Sequence, residues 1–463
     1  MKLDDAGTWI THIGKHVGST TMVNFTVFDA GFRHGAPPSA DAVRDYVAAR
    51  ISGLPYFKCR VARTPLAAGS SRLVPVADFD VANHVTLRTA PGSGGWVELR
   101  DELARIRETS LDPDLPPWHI TVFTGIREIP GAAGEFLGVV TQLDHSVTDG
   151  AGSVALGRLL FPEAPVTEVG VGRKAAILTP SGGNVGLLAD AVAQAPSRAA
   201  RFARNLREAV AARGKNASAD DRAPTEMTPM RGPAPQTAID SAGGPLGYRA
   251  FAASLEDIQR ARATVPGATI NDVLISAVGG ALRTYLRESG PLPDADLRCA
   301  ITVATAQRPH SPFVGNDFTM AAVPFGVHLE SSRDRLAYVA GQTAAVKHRI
   351  RTGPKVPVER ALQSIPPLFI PKVLAMLSGG RAAVNAAVVN VPRGSRPMYF
   401  GEARSVASFG LPFTDGVPLA HAVTTLGDVV TVNALYDSAS IRDGDTYIAL
   451  LESELSELVK LGV

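Results

Sequence analysis

The side chains best placed to do chemistry lie in one stretch, Asp144, His145, Ser146, Val147, Thr148, Asp149 and Gly150. Imidazole is the side chain whose ordinary pKa lies closest to neutrality, so His145 can take a proton from a hydroxyl or an amine at physiological pH. Asp149 has two uses. It can orient the imidazole, or it can pair with a cation elsewhere and hold the turn in shape, and spacing alone does not separate these. The same residues also make a satisfied loop histidine followed by an Asx-type turn at Asp149-Gly150, and taken alone the stretch favours that plainer reading.

The flanking residues say how the stretch is held. Phe136, Leu137, Gly138, Val139 and Val140 form a short apolar, β-branched run, which reads as a buried strand. Continued alternation would put Leu137, Val139, Thr141, Leu143 and His145 on one side, with the imidazole at the strand's end. From Gly152 onward, Val154, Leu156, Leu159 and Leu160 return at helical spacing, so the unit is strand, polar turn, helix.

Upstream, Met22–Asp29 alternates as a strand, and Asp41–Ile51 carries Val43, Tyr46, Val47 and Ile51 at helical spacing. Phe57–Val61 and Leu73–Val76 are short strand candidates, and Trp96–Thr109 has helical spacing before the prolines of LDPDLPPW end it. His84 has no carboxylate and nucleophile beside it in an interpretable pattern, so it is read as structural. Trp118 opens the next strand and is read as packing near the strand that leads to His145.

Several segments, in order, resemble one family. DHSVTDG is similar to the HHxxxDG motif of the CoA-dependent acyltransferase superfamily, FDVANHV to an FDxxxHV segment, and SLDPDLPPWHITVF to PLDxxxPLWxxxx of bacterial wax ester synthase/diacylglycerol acyltransferases. NDVLISAVGGALRTYL resembles that family's NDVVLAAVAGALRRYL region, and VVNVPRGSRPMYFGEA its SNVPGPxxPLYLxGA segment. The resemblance runs from near residue 3 to near residue 460.

It implies an α/β fold of two chloramphenicol acetyltransferase-like domains with mixed sheets and flanking helices, and an active-site channel between them. It implies transfer of a fatty acyl group from acyl-CoA, a substrate rather than a cofactor, to diacylglycerol or a long-chain alcohol, with no metal. His145 matches the second motif histidine, the general base, while Asp149 and Gly150 match the motif's tail. Asp144 replaces the first histidine, which raises the pKa of His145 or recruits a different contact. Asn271 and Asp272 match the Asn-Asp pair and are expected to help position the site. Thr269 and Asp272 also suffice as a capping box for a helix with an apolar stripe at Leu274, Val278, Ala281, Leu282 and Tyr285. Gly315 and Asn316 are candidates for lining the channel, or for a plain loop turn. The alternatives are an acyltransferase acting on a polyketide, sugar or amine, and a lipid-binding relative degraded at its motif. A serine hydrolase is disfavoured, since there is no GxSxG elbow.

Composition sets the outer limits. A chain of 463 residues is long for one core, and the division expected is 1–175 for the N-terminal acyltransferase domain, 176–246 for crossover helices and linker, and 247–463 for the C-terminal acyltransferase-like domain. Lys and Arg total 46 against 44 acidic residues, so nothing suggests a nucleic-acid partner. Cys59 and Cys299 stand far apart, as reduced core residues rather than a disulfide or zinc framework. GxGxxA at Val169–Ala175 lacks a convincing βαβ unit, which argues against a dinucleotide site. An acidic N-terminus without an apolar run, and no run of about 20 apolar residues, point to cytoplasmic residence with at most peripheral contact with the inner membrane or lipid droplets.

Between Leu187 and Arg213, arginines 198, 201, 204 and 207 recur every three residues, and Pro196 is expected to divide the segment into two helices. Their basic face reads as a solvated crossover surface, as a contact for anionic lipid, or as a contact for CoA phosphates. Arg333–Arg349 is expected to be a surface helix. The apolar residues 366–384 read as core before a tunnel wall or a membrane-facing patch.

Overall fold

The computed structural model describes residues 1–17, 19–30, 37–166, 183–219, 234–240, 243–304, 318–352, 365, 367–370, 372, 383–414 and 416–462. Candidates Gly315 and Asn316, the GxGxxA stretch and most of 366–384 lie outside them.

The first half contributes helix α1 (Asp5–Val17), strand β1 (Thr21–Asp29), helix α2 (Ala40–Ile51), strands β2 (Cys59–Ala62), β3 (Arg72–Pro75) and β4 (Val85–Thr89), helix α3 (Trp96–Glu108), strands β5 (Trp118–Ile129) and β6 (Ala132–Asp144), and helix α4 (Gly150–Leu160). Helix α5 (Gly183–Ala219) leads to the second half. There follow strand β7 (Leu246–Ser254), helices α6 (Leu255–Ala263) and α7 (Ile270–Ser289), strands β8 (Arg298–Ala304) and β9 (Phe318–Pro324), helix α8 (Ser332–Thr352), strands β10 (Ala386–Asn390), β11 (Tyr399–Phe400), β12 (Ala403–Leu411), β13 (Leu419–Leu426) and β14 (Val429–Asp437), and the C-terminal helix Gly444–Lys460.

Two six-stranded sheets carry the fold, in the orders β11-β12-β1-β6-β5-β4 and β7-β14-β13-β10-β8-β9. Both are mixed, because β4 runs parallel to β5 and β10 runs parallel to both β8 and β13. Sheet membership does not follow sequence order: β11 and β12, far past the linker, hydrogen-bond into the first sheet, with Phe409 of β12 opposite Phe25 of β1. The same β12 joins that sheet to the second, since its Ser408 carbonyl accepts from the buried Thr431 hydroxyl of β14 at 2.6 Å and from that of Thr424 of β13. Aromatic packing thickens this seam, with Trp96 of α3 at 5.2 Å from Phe409 and 6.0 Å from Tyr248 of β7, centroid to centroid.

Two expectations about helices are corrected. Pro196 does not divide its segment: α5 runs continuously through it. Proline removes one backbone donor and crowds the preceding turn, and here Arg198 donates to the Ala191 carbonyl at 3.2 Å and to Ala68 at 2.7 Å, tying the disturbed turn to the body. Helix α8 is not purely a surface helix. Arg335 on it is fully buried, with its guanidinium 2.5 Å from Glu454 and 2.7 Å from the Leu329 carbonyl. Cys59 and Cys299 are free and buried. Among the described residues no helix is long and apolar enough to cross a membrane.

Candidate active site

The antiparallel pairing of β1 with β6 brings Thr21 opposite Asp144. The strand stops there, and His145 begins the turn, so the alternation that would have put it on the Leu143 side does not reach it. Its backbone N–H instead donates to the Thr20 carbonyl at 2.9 Å, just before β1. Its ring faces Phe413, centroids 6.1 Å apart, in the segment leaving β12. The imidazole thus sits where the first sheet meets the strand that crosses back from the second half.

Asp144 makes contacts of its own on both sides of the turn. One carboxylate oxygen accepts from the Thr20 hydroxyl at 2.7 Å and the other from the Ser146 N–H at 2.8 Å. The residue that replaces the first motif histidine therefore staples the turn, and its own N–H donates to the Pro117 carbonyl at 3.0 Å. Asp149 is buried and N-caps α4, accepting from Gly152 N–H at 2.9 Å, as expected for an aspartate with a free choice of cap. Gly150 follows beneath Val391, which a β-carbon there would meet at 3.4 Å.

Trp118 is architectural. It lies opposite Leu143 in the β5–β6 register, is fully buried, and donates its indole N–H to the Phe57 carbonyl at 2.9 Å. His84 stacks on it at 4.4 Å and places Nδ1 2.9 Å from the Trp118 carbonyl. Burial lowers the pKa of His84, which suits a neutral structural ring.

Asn271 and Asp272 stand apart from this turn. Thr269 and Asp272 form the expected capping box of α7, and the buried Asp272 also accepts from Thr343 of α8 at 2.6 Å. Among the described residues Asn271 Oδ1 is buried without a hydrogen-bond partner. Among the described residues, too, no group of three or more His, Cys, Asp or Glu side chains is arranged to hold a metal.

Further contacts surround the turn, two of them, at Gly7 and Arg107, from residues outside every quoted motif. Gly7 of α1 lies so close to it that a β-carbon would stand 2.2 Å from the Ser146 carbonyl. Arg107 of α3 is buried behind Phe413, and Arg393 is buried with its guanidinium on Asn24 Oδ1. Burial lowers the pKa of each arginine to about 10, which leaves both charged at neutral pH. Arg393 falls within the segment VVNVPRGSRPMYFGEA but at no position that spacing singles out, and Arg107 falls in no motif. Only the long-range contacts distinguish them from ordinary helix and loop arginines.

Two mixed sheets linked by a crossing strand, with a histidine turn at their junction, define the class: the α/β fold of chloramphenicol acetyltransferase-like acyltransferases and condensation domains. The structure superposes on the wax ester synthase/diacylglycerol acyltransferase from Marinobacter aquaeolei VT8 with a TM-score of 0.69 at 18% identity, covering 100% of each chain. It superposes on the first condensation domain of the calcium-dependent antibiotic synthetase with a TM-score of 0.60 at 14% identity, covering 99% of this chain and 96% of that one.

The wax ester synthase/diacylglycerol acyltransferase catalytic domain matches residues 13–274 and the WS/DGAT C-terminal domain residues 314–459, so the chain belongs to this family of acyltransferases. A Mycobacterium tuberculosis protein named "Putative diacyglycerol O-acyltransferase" is 27% identical over 402 residues, 82% of each chain. A Mycobacterium bovis protein of the same description is 24% identical over 401 residues, again 82% of each.

Proposed function

We propose that the protein transfers a fatty acyl group from acyl-CoA to diacylglycerol, and also to long-chain alcohols, with His145 as general base. The observation that carries this reading is the turn itself: an imidazole at the junction of the sheets, held through its backbone by Thr20 and through its neighbour Asp144. Because both Asp144 oxygens already hold the turn, the departure from a double histidine changes the support of the base and leaves the base in place.

In this reading His145 accepts the proton of the acceptor hydroxyl as its oxygen attacks the thioester carbonyl. The tetrahedral intermediate collapses, the C–S bond breaks, and the leaving CoA thiolate recovers the proton from the imidazolium. No acyl-enzyme forms. The acceptor follows the names of the relatives. Peripheral contact with a lipid surface fits an acceptor that lives there, and α5 offers exposed Val185, Val192 and Leu206, with exposed Arg207 flanking Leu206.

The test is thiol release from palmitoyl-CoA with diacylglycerol or hexadecanol, alongside His145→Ala, with lipid products analysed in the same reactions. Acceptor-dependent ester that falls by about 100-fold or more in the variant is expected for loss of a general base. Wild type and variant equally silent across acceptors, while both bind lipid, would instead mark a binding protein.

A further inference from the structure

We infer that Arg107 is a positioning residue for His145, acting through two backbone carbonyls and one aromatic ring; this rests on His145 being the base. Arg107 lies in the last turn of α3 and is 2% exposed. Its Nε donates to the Pro412 carbonyl at 3.1 Å and its Nη1 to the Ser19 carbonyl at 3.1 Å. Those carbonyls belong to the residues directly before the two that hold His145: Thr20, which accepts the His145 N–H at 2.9 Å, and Phe413, which faces the imidazole at 6.1 Å. The guanidinium carbon also sits 5.9 Å from the centre of the Phe413 ring, within cation–π range.

One planar cation therefore bridges the segment entering β1 and the segment leaving β12, which approach from opposite ends of the chain. It fixes the backbone anchor of His145 and the aromatic wall beside its ring together. The neighbouring Ile106 carbonyl accepts from Gln142 of β6 at 3.1 Å, so α3 also grips the strand that delivers the turn.

Energetics support a task beyond packing. Arg107 is 2% exposed, and burial outweighs the nearby Glu108 carboxylate in lowering its pKa, so the buried cation is costly where an apolar side chain of similar volume would fill the space. What the guanidinium supplies, and an apolar chain cannot, is a forked donor that spans two carbonyls. Lysine keeps the charge and loses the fork.

The test compares the full-length wild type with Arg107→Lys, Arg107→Met and His145→Ala, using palmitoyl-CoA and hexadecanol. Displacing a reacting group by about 1 Å costs on the order of 100-fold, so kcat is expected to fall by about that factor in Arg107→Met, and less in Arg107→Lys, with KM within about twofold. In protein labelled at histidine nitrogen, the His145 resonance, identified by its loss in His145→Ala, is expected to shift in Arg107→Lys while that of the buried His84, which is held by Trp118, stays. Should Arg107→Met not fold, Arg107→Lys carries both measurements. An unmoved His145 resonance with wild-type kcat per folded molecule in Arg107→Lys would overturn the inference. Ester formation undiminished in His145→Ala would overturn the base reading instead, and the role of Arg107 with it.

Discussion

A missing methyl group sets how closely α1 can approach the motif turn. At Gly7 a β-carbon would stand 2.2 Å from the Ser146 carbonyl and 2.9 Å from Asp4 Oδ1, and the carbonyl belongs to backbone that cannot swing aside. Gly7→Ala is expected to push the turn away and cost about 1–3 kcal/mol of stability. It should also lower kcat about tenfold or more through misplacement of His145, as melting curves and thiol-release kinetics on the same preparations will show. His145, Asp149 and Gly150 stand out in the sequence because they form a contiguous pattern. Gly7 and Thr20 do not, because each acts on that pattern across more than a hundred residues, and Arg107 does not, because it acts through Ser19 and Pro412, both distant from it in sequence; a lone glycine or arginine on a helix looks like any other. Asp144 falls between: its type was legible, but its partners Thr20 and Ser146 N–H were a matter of turn geometry.

Elements were legible wherever one face meets the core. Strands β1, β5 and β6, helix α3 and the capped start of α7 lie within a few residues of where apolar spacing places them. Helix α5 is the instructive exception. A three-residue spacing drifts by about 60° per step around an α-helix, so arginines 198, 201, 204 and 207 do not share a face. Arg198 is buried, Arg201 lies 3.4 Å from Asp5, and Arg204 and Arg207 are exposed.

A seven-residue spacing drifts by only about 20°, and Val185, Val192, Ala199 and Leu206 do line up, all exposed. Attachment to anionic lipid would therefore use that stripe with Arg207, about 100° around the helix from Leu206, on its flank, while Arg204 falls about 160° away. The variant R207E is expected to bind phosphatidylglycerol-containing vesicles about tenfold more weakly, a basic residue near such a surface being worth about 1 kcal/mol and its reversal about twice that. Unchanged co-sedimentation at low salt would discard the membrane role of this helix.

At the scale of the whole molecule, acid is the condition to which the fold is most exposed. His421 lies fully buried in β13, with Nε2 2.8 Å from the Tyr447 hydroxyl and Nδ1 3.2 Å from the Ala387 carbonyl. Burial takes its pKa from 6.5 down to about 4. Between those values the unfolded chain binds a proton that the native ring refuses, so the contribution of neutral His421 is complete above about pH 6.5 and fades as pH falls toward 4. The loss approaches about 3 kcal/mol. Melting temperature is expected to drop through that window, and the drop should be shallower in His421→Gln.

The pairing of β12 with β1 was the least legible feature of all, since hydrogen bonding between strands at opposite ends of a chain leaves no local periodicity to read. That pairing also orders events during synthesis. A chain emerging from the ribosome offers β1, β4, β5 and β6 early, but the second neighbour of β1, on the side away from β6, arrives only with residues 403–411. Until then β1 is an open edge of a nascent sheet, ready to pair with another chain. Completion of the first sheet, and with it the wall of the histidine turn, has to wait until residues 403–413 have been made.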